Sequence, residues 1–152
     1  MEVENKIDDY LIFICWIIHS ITPLFRFSKF KGILFVIVPY LIFSLCVMLN
    51  TQLTHNNHYC TKHYSKDWYR HQILTSSNFS TNNIFVTIFS GYLNYQIEHH
   101  LFPYVNHCHL PKIHTIVKKI STKYNIQYYE AKNYLIAIDN YYKYIYSISI
   151  KK

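Results

Sequence analysis

The sequence predicts an all-α integral membrane protein, in which a transmembrane helical hairpin is followed by shorter helices. Charged residues make up only 15% of the 152 residues, whereas about a quarter is usual in soluble domains. Two long apolar runs follow each other closely near the N-terminus. Only two glycines occur in the whole chain, which excludes a glycine-rich nucleotide-binding fold.

The hairpin is predicted over residues 10–49. Residues 1–9 are polar and net acidic, so they do not resemble a signal peptide, which begins with positive charge. Residues 10–25 carry no formal charge, and residues 33–49 form a second run of 17 uncharged residues. As a helix the second run spans roughly 25 Å, near the lower limit for crossing a bilayer core. The alternative is a pair of buried helices in a soluble protein.

The charge pattern leaves the orientation in the membrane open. The positive-inside rule places the short basic loop between the two runs, which holds Arg26, Lys29 and Lys31, in the cytoplasm. The basic residues of the remaining chain prefer the same side, and one hairpin cannot satisfy both. The net charge of +7 comes from dispersed lysines, which argues against nucleic-acid binding.

Beyond residue 50 the chain becomes polar and histidine-rich, and shorter elements are expected. Residues 84–95 are apolar and aromatic but too short to span a bilayer, which predicts that they lie along the membrane interface or against the hairpin. Residues 110–124 repeat apolar side chains at helical spacing, with Pro111 in the first turn, and predict an amphipathic helix. A last helix is expected over residues 134–146, before a lysine-ended tail.

Ten histidines are a high count for this length, and neutral imidazole is the commonest metal ligand. His99 and His100 are adjacent, so on a helix they point about 100° apart and suit a site with two metals. Gln96 precedes them by three and four residues and can share their face. Glu98 points elsewhere and is expected to orient a neighbouring ligand.

Residues 93–103 read LNYQIEHHLFP, and this run closely resembles the third histidine box of membrane fatty acyl desaturases. The glutamine at its head is similar to the front-end type. Weaker similarity extends over residues 33–138, through segments that include Gln52 to His55, Asp67-Trp68, Gln72, Asn78-Phe79, Leu110, Lys112-Ile113, Val117, Lys123-Tyr124 and Glu130. The family usually has a Pro-Arg pair after Pro103, where this chain has Asn106-His107.

The resemblance implies the C-terminal half of a four-helix desaturase fold in the endoplasmic reticulum, with its His-rich region cytosolic. Such enzymes hold two irons, activate oxygen and insert a double bond into an acyl chain, with electrons from cytochrome b5. Residues 50–128 would be the C-terminal part of the desaturase domain, and residues 129–152 a helix and tail. The implied metal ligands are His55, His99 and His100. Gln96 is implied as a further ligand or hydrogen-bond donor, with Glu98 and Asn94 as supporting residues.

Two features of the family pattern are missing. The first two boxes, H-x-x-x-H and H-x-x-H-H, do not occur in this sequence. The implied ligands His55, His99 and His100 are therefore the only histidine ligands that the resemblance supplies, and three are too few to hold two irons. We therefore expect an incomplete desaturase that is inactive alone, completed within a longer polypeptide or by a second chain carrying the missing boxes. The alternative is a non-catalytic desaturase-like membrane protein that binds a partner desaturase or lipid.

Three further expectations concern side chains beyond the box. The four cysteines, Cys15, Cys46, Cys60 and Cys108, suggest no disulfide framework. A membrane-anchored zinc module is a third alternative, although its spacings match no zinc-finger pattern. Its ligands would come from His58, Cys60, His63, Cys108, His109 and His114. The triplet Asn78-Phe79-Ser80 is an N-glycosylation acceptor pattern, and a cytosolic location would leave Asn78 without glycan.

Overall fold

A computed structural model describes residues 6–60 and 65–150 of the chain. The chain divides into two compact units, Met1–Leu45 and Cys46–Lys152. Each unit is described by itself below.

The first unit is built from long apolar helices. Helix α1 covers Lys6–Arg26, and helix α2 begins at Lys29 and continues to His55, so its last turns belong to the second unit. Within the described ranges, α2 is the one helix long and apolar enough to cross a membrane, and Tyr10–Arg26 is a shorter apolar segment. These helices agree with the predicted apolar runs, while a hairpin within the membrane stays a prediction.

Gly32 allows the two helices of the first unit to approach closely, and this leads to a stability prediction. A Cβ atom at Gly32 would lie 2.8 Å from the carbonyl oxygen of Pro23 and 3.0 Å from the Cα atom of Leu24. We expect Gly32→Ala to lower the free energy of unfolding by about 1–2 kcal/mol, because overpacking forces backbone shifts. Ser44→Ala, at an exposed position of α2, is the control. Denaturing-detergent titration followed by circular dichroism measures both, and equal stabilities would contradict the close approach.

The second unit contains short elements that follow one another along the chain. These are α3 (Trp68–Thr75), β1 (Asn78–Phe79), α4 (Ile84–Phe89), a 3₁₀ turn (Leu93–Tyr95), α5 (Gln96–Leu101), a second 3₁₀ turn (His107–His109), α6 (Leu110–Lys123), β2 (Glu130–Ala131) and α7 (Tyr134–Ile150). Helices α6 and α7 confirm the predicted helices, and α7 extends four residues beyond the predicted end.

The mostly helical fold that the sequence predicts contains one short pair of strands in the described residues. Strands β1 and β2 pair in parallel, with Asn78 opposite Glu130 and Phe79 opposite Ala131. The pairing joins two segments about 50 residues apart and fastens the C-terminal part of the chain beside the segment that precedes the histidine box. Two-residue strands are too short to show the alternation that identifies a strand in a sequence.

Two small apolar clusters hold the second unit together. Leu53 at the end of α2 joins Phe79, Ala131 and Ala137 in the first cluster. Ile97 and Leu101 of α5 join Ile73 of α3 and Val117 of α6 in the second. Ile97 is fully buried, so the second cluster fixes α5, the helix of the histidine box, between α3 and α6.

Candidate functional site

His55 and His100 are held by hydrogen bonds at one nitrogen of each ring. The Nδ1 atom of His55 lies 3.1 Å from the carbonyl oxygen of Thr75. The Nδ1 atom of His100 lies 2.9 Å from Oε1 of Gln72. Because these oxygens can only accept, each Nδ1 carries the proton and donates it, and each Nε2 keeps a free lone pair.

Gln96 connects the two free nitrogens. Its Nε2 atom lies 3.2 Å from Nε2 of His55 and 2.8 Å from Nε2 of His100. The amide therefore donates one hydrogen to each ring. The centroids of the two rings are 4.9 Å apart. The Oε1 atom of Gln96 is buried and, in the described part of the chain, has no hydrogen-bond partner, which is costly for an acceptor.

Local helix geometry explains how these side chains meet. Gln96 and His100 are four residues apart on α5, which places them on one helical face. Helix α3, which supplies Gln72 and Thr75, begins at the N-cap Asp67, whose side chain accepts a hydrogen bond from the backbone N–H of Arg70. Helix α2 continues beyond its apolar run and carries His55 in its last turn.

The electrostatics around His100 favour a neutral imidazole. Burial lowers the pKa of His100 to about 4, and the nearby His55 and His99 contribute to the same direction. At neutral pH the ring of His100 is therefore uncharged, and its Nε2 lone pair is available to a metal ion.

His99 points to a different neighbour. Its ring centroid lies 6.0 Å from that of His100 and 5.3 Å from that of His107. Burial lowers the pKa of His99, and His107 lowers it further. The structure thus brings His55, Gln96 and His100 together and places His99 beside His107. His107 is exposed, and nothing in the sequence connected it with His99.

Glu98 and Asn94 were expected to support the candidate ligands, but their hydrogen bonds go to other residues. Glu98 is fully buried and accepts hydrogen bonds from Nδ2 of Asn78 at 2.6 Å and from the hydroxyl of Tyr128 at 2.7 Å. Asn94 is fully buried and bonds Thr87 and Ser90. The side chains of His55 and His100 instead contact the carbonyl of Thr75 and the side chain of Gln72, which the spacing did not indicate.

The buried network around Glu98 reaches the C-terminal segment. Nδ1 of His114 lies 3.5 Å from the Glu98 carboxylate, and its Nε2 lies 3.6 Å from the carboxylate of Glu130. Glu130 also pairs with Lys118 at 2.7 Å. Burial and the Glu98 charge raise the pKa of Tyr128, so its hydroxyl stays protonated as a donor. Burial would raise the pKa of Glu130, but hydrogen bonds from Lys118 and Thr81 outweigh it and lower the pKa.

The zinc alternative gains no support from the geometry. Across residues 6–60 and 65–150, no three His, Cys, Asp or Glu side chains are grouped to hold a metal ion. His63 lies outside the described residues. Burial raises the pKa of the Cys60 thiol to about 11.

The described part of the chain is thus mostly helical, with one long apolar helix and a half-buried pair of imidazoles on separate helices. The chain belongs to the fatty acid desaturase family, whose family model matches residues 6–132. The region matched includes His55, Gln96, His99 and His100.

Three relatives show the same kinship. The chain is 37% identical over 79 residues to the sn-1 linoleoyl-lipid 6-desaturase of Synechocystis sp., which covers 52% of this chain and 22% of the relative. It is 33% identical over 84 residues to the Delta(5) fatty acid desaturase A of Dictyostelium discoideum, and the match covers 55% of this chain and 18% of the relative. The probable Delta(5) fatty acid desaturase C of that organism is 24% identical over 159 residues, and the match covers 97% of this chain and 34% of the relative.

The chain therefore spans about a third or less of the length of these relatives. No solved structure matches the chain.

Proposed function

We propose that this chain supplies the C-terminal part of the iron site of an oxygen-dependent acyl desaturase of the front-end type. One observation carries the proposal: the unprotonated Nε2 atoms of His55 and His100 converge on the side chain of Gln96. The membrane desaturases to which it is related support an acyl chain of a lipid as the substrate class.

The residues present fit a metal ion. Each imidazole is anchored through Nδ1 to an oxygen acceptor, which is the usual arrangement around a ligating histidine. Two imidazoles on one first-row metal, with bonds of about 2.0–2.1 Å, place their ring centroids roughly 5 Å apart. The partnerless Oε1 of Gln96 needs a cation or a donor. Rotation of the amide turns this oxygen toward the point now filled by its nitrogen.

The chain's own residues have separate tasks at such a site. A pair of irons supplies the activation of oxygen and the removal of hydrogen from the acyl chain. His55 and His100 hold one metal from two helices, and Gln96 ligates it or donates a hydrogen bond beside it. His99 contributes to the second metal. Gln72 and the Thr75 carbonyl keep the two rings in the orientation that ligation needs.

The remaining parts of the enzyme are proposed from the family. Further ligands come from histidine boxes outside this sequence, in the same polypeptide or in a second chain. Residues 10–49 form the membrane hairpin, and the His-rich residues face the cytosol at the endoplasmic reticulum. Residues 50–128 complete the desaturase domain, with residues 129–152 as its closing helix and tail. Cytochrome b5 delivers the electrons.

A non-catalytic desaturase-like protein is the second candidate function. It is favoured by the small number of ligands, since in the described ranges only two imidazole nitrogens converge on one point. In this case the chain binds a partner desaturase or lipid through its fold, and the histidines bind no iron.

Metal titration tests the proposal. We expect the full 152-residue chain in lipid nanodiscs to bind Co²⁺, used as a spectroscopic probe for Fe²⁺, with absorption bands typical of nitrogen ligands. His55→Ala and His100→Ala should each abolish these bands, whereas His109→Ala, an exposed control, should not. Circular dichroism checks that the variants stay folded. Bands that survive in both site variants would contradict the proposed site, and no Co²⁺ binding by the unaltered chain would contradict a metal site formed by these residues on their own.

A further inference from the structure

Helix α4 presents its apolar side chains outward. Ile84, Phe85, Ile88 and Phe89 are exposed by 60%, 81%, 67% and 59%, and together they form what we call the apolar face of α4. These four residues fall within an arc of about 140° when the helix is viewed along its axis. The face is therefore one continuous surface, unlike apolar side chains scattered singly over a protein.

The polar side chains of the same region point inward. Thr87 and Ser90 are almost fully buried, as is Asn94. Asn94 donates to the hydroxyl of Thr87 at 2.9 Å, and Ser90 bonds Asn94 at 3.2 Å. This polarity is the reverse of that of a helix in water. An element with satisfied polar groups inside and apolar groups outside is typical of contact with lipid.

The inner side of α4 packs near the end of the candidate membrane helix. Val86 packs against the cluster that contains Leu53 of α2. Leu53 lies about one helical turn beyond Leu49, the last residue of the apolar run. The ring of Phe89 lies 6.5 Å from that of Tyr134, whose hydroxyl donates to Oδ1 of Asn50 on α2. Helix α4 is thus fastened where α2 changes from apolar to polar.

We propose that α4 is an interfacial membrane anchor, with its apolar face inserted among the lipids where α2 leaves the hydrocarbon core. At six residues, α4 is too short to cross a bilayer, so it lies at the boundary between headgroups and acyl chains. Aromatic side chains such as Phe85 and Phe89 suit this depth. The proposal is independent of metal binding and of catalysis, so its outcome is separate from that of the proposed function.

Lipid-depth quenching of a single tryptophan tests this placement. The full chain carries Trp16→Phe and Trp68→Phe to remove the native tryptophans, and Phe85→Trp adds one on the apolar face. The protein is reconstituted at one copy per phosphatidylcholine nanodisc, with lipid brominated near the top of the acyl chain. Tyr124→Trp in the same background is the matched control, since Tyr124 is an exposed aromatic residue at the end of the lysine-rich α6.

We expect brominated lipid to reduce the Phe85→Trp emission at least about twofold, since interfacial helices bury their apolar face in the headgroup and acyl boundary. Acrylamide in the buffer should quench Tyr124→Trp strongly and Phe85→Trp weakly. Quenching of Phe85→Trp by acrylamide and not by lipid would overturn the proposal, because the face would then lie in water. Protection from both quenchers would also overturn it, because protein would then cover the face. Ile88→Trp repeats the measurement at a second exposed position.

Discussion

Replacement of Asn78 by leucine is expected to destabilise the Cys46–Lys152 unit by about 2–4 kcal/mol, because a buried hydrogen-bonding group left without its partner costs about 1–3 kcal/mol. Asn78 is only 1% exposed. Its Nδ2 atom donates to Oε2 of Glu98 and to the hydroxyl of Tyr128, both at 2.6 Å. Its Oδ1 atom accepts from the backbone N–H of Ile97 at 2.9 Å. Leucine removes all three hydrogen bonds. The Glu98 carboxylate, the Tyr128 hydroxyl and the Ile97 N–H each lose a partner that water cannot replace.

The free energy of unfolding, measured by denaturant titration of the full chain in detergent, provides the test. Asn82→Leu is the matched control, because Asn82 is an exposed asparagine nearby and such changes usually stay within about 0.5 kcal/mol. The double variant Asn78→Leu with Glu98→Leu should recover part of the loss, because removing both partners of a buried polar pair costs less than removing one. Equal stability of the Asn78→Leu and Asn82→Leu proteins would contradict this account of the network.

The burial of Asn78 also affects what the N-glycosylation pattern can report about membrane orientation. The Nδ2 atom of Asn78, to which a glycan would attach, makes two short hydrogen bonds inside the unit. A glycan at this atom is incompatible with the packing around Glu98. An unmodified Asn78 therefore follows from burial alone, and it does not by itself report that this region faces the cytosol.

The sequence predicted the elements whose signal is local. The apolar run of α2 and the amphipathic repeat of α6 both appear as helices, because hydrophobic periodicity depends on neighbours within a few turns. The contact between Gln96 and His100 is also local, since four residues separate them on α5. The resemblance to the family added His55, whose contact with Gln96 spans 41 residues.

The features that were missed depend on contacts distant in sequence. Gln72 meets His100 across 28 residues, and neither spacing nor periodicity connects the two positions. Glu98 was expected to support its histidine neighbours, yet its partner Tyr128 lies 30 residues away, in a segment with no helix or strand pattern. Strand β2 could not be predicted because two residues show no period. Tertiary packing, not local propensity, decides such positions.

Gln72→Leu is expected to weaken binding of the probe metal by about 10–100-fold, the usual effect of removing a partner that orients a ligating histidine. Leucine has no acceptor for the Nδ1–H of His100, which Gln72 accepts at 2.9 Å. The ring of His100 can then rotate or change tautomer, so its Nε2 lone pair no longer points reliably at the metal. Because Gln72 does not touch the metal position itself, the effect reports on orientation and not on the loss of a ligand.

Two further variants separate orientation from other causes. Gln72→Glu keeps an oxygen acceptor for Nδ1–H and should bind Co²⁺ at least as tightly as the unaltered chain, because a carboxylate makes the ring a stronger base. Gln127→Leu makes the same replacement at an exposed glutamine and should leave the affinity unchanged. If Gln72→Leu bound Co²⁺ as tightly as the Gln127→Leu control, the hydrogen bond would have no role at the site. If Gln72→Glu lost as much affinity as Gln72→Leu, the shape of the side chain would matter and not its acceptor.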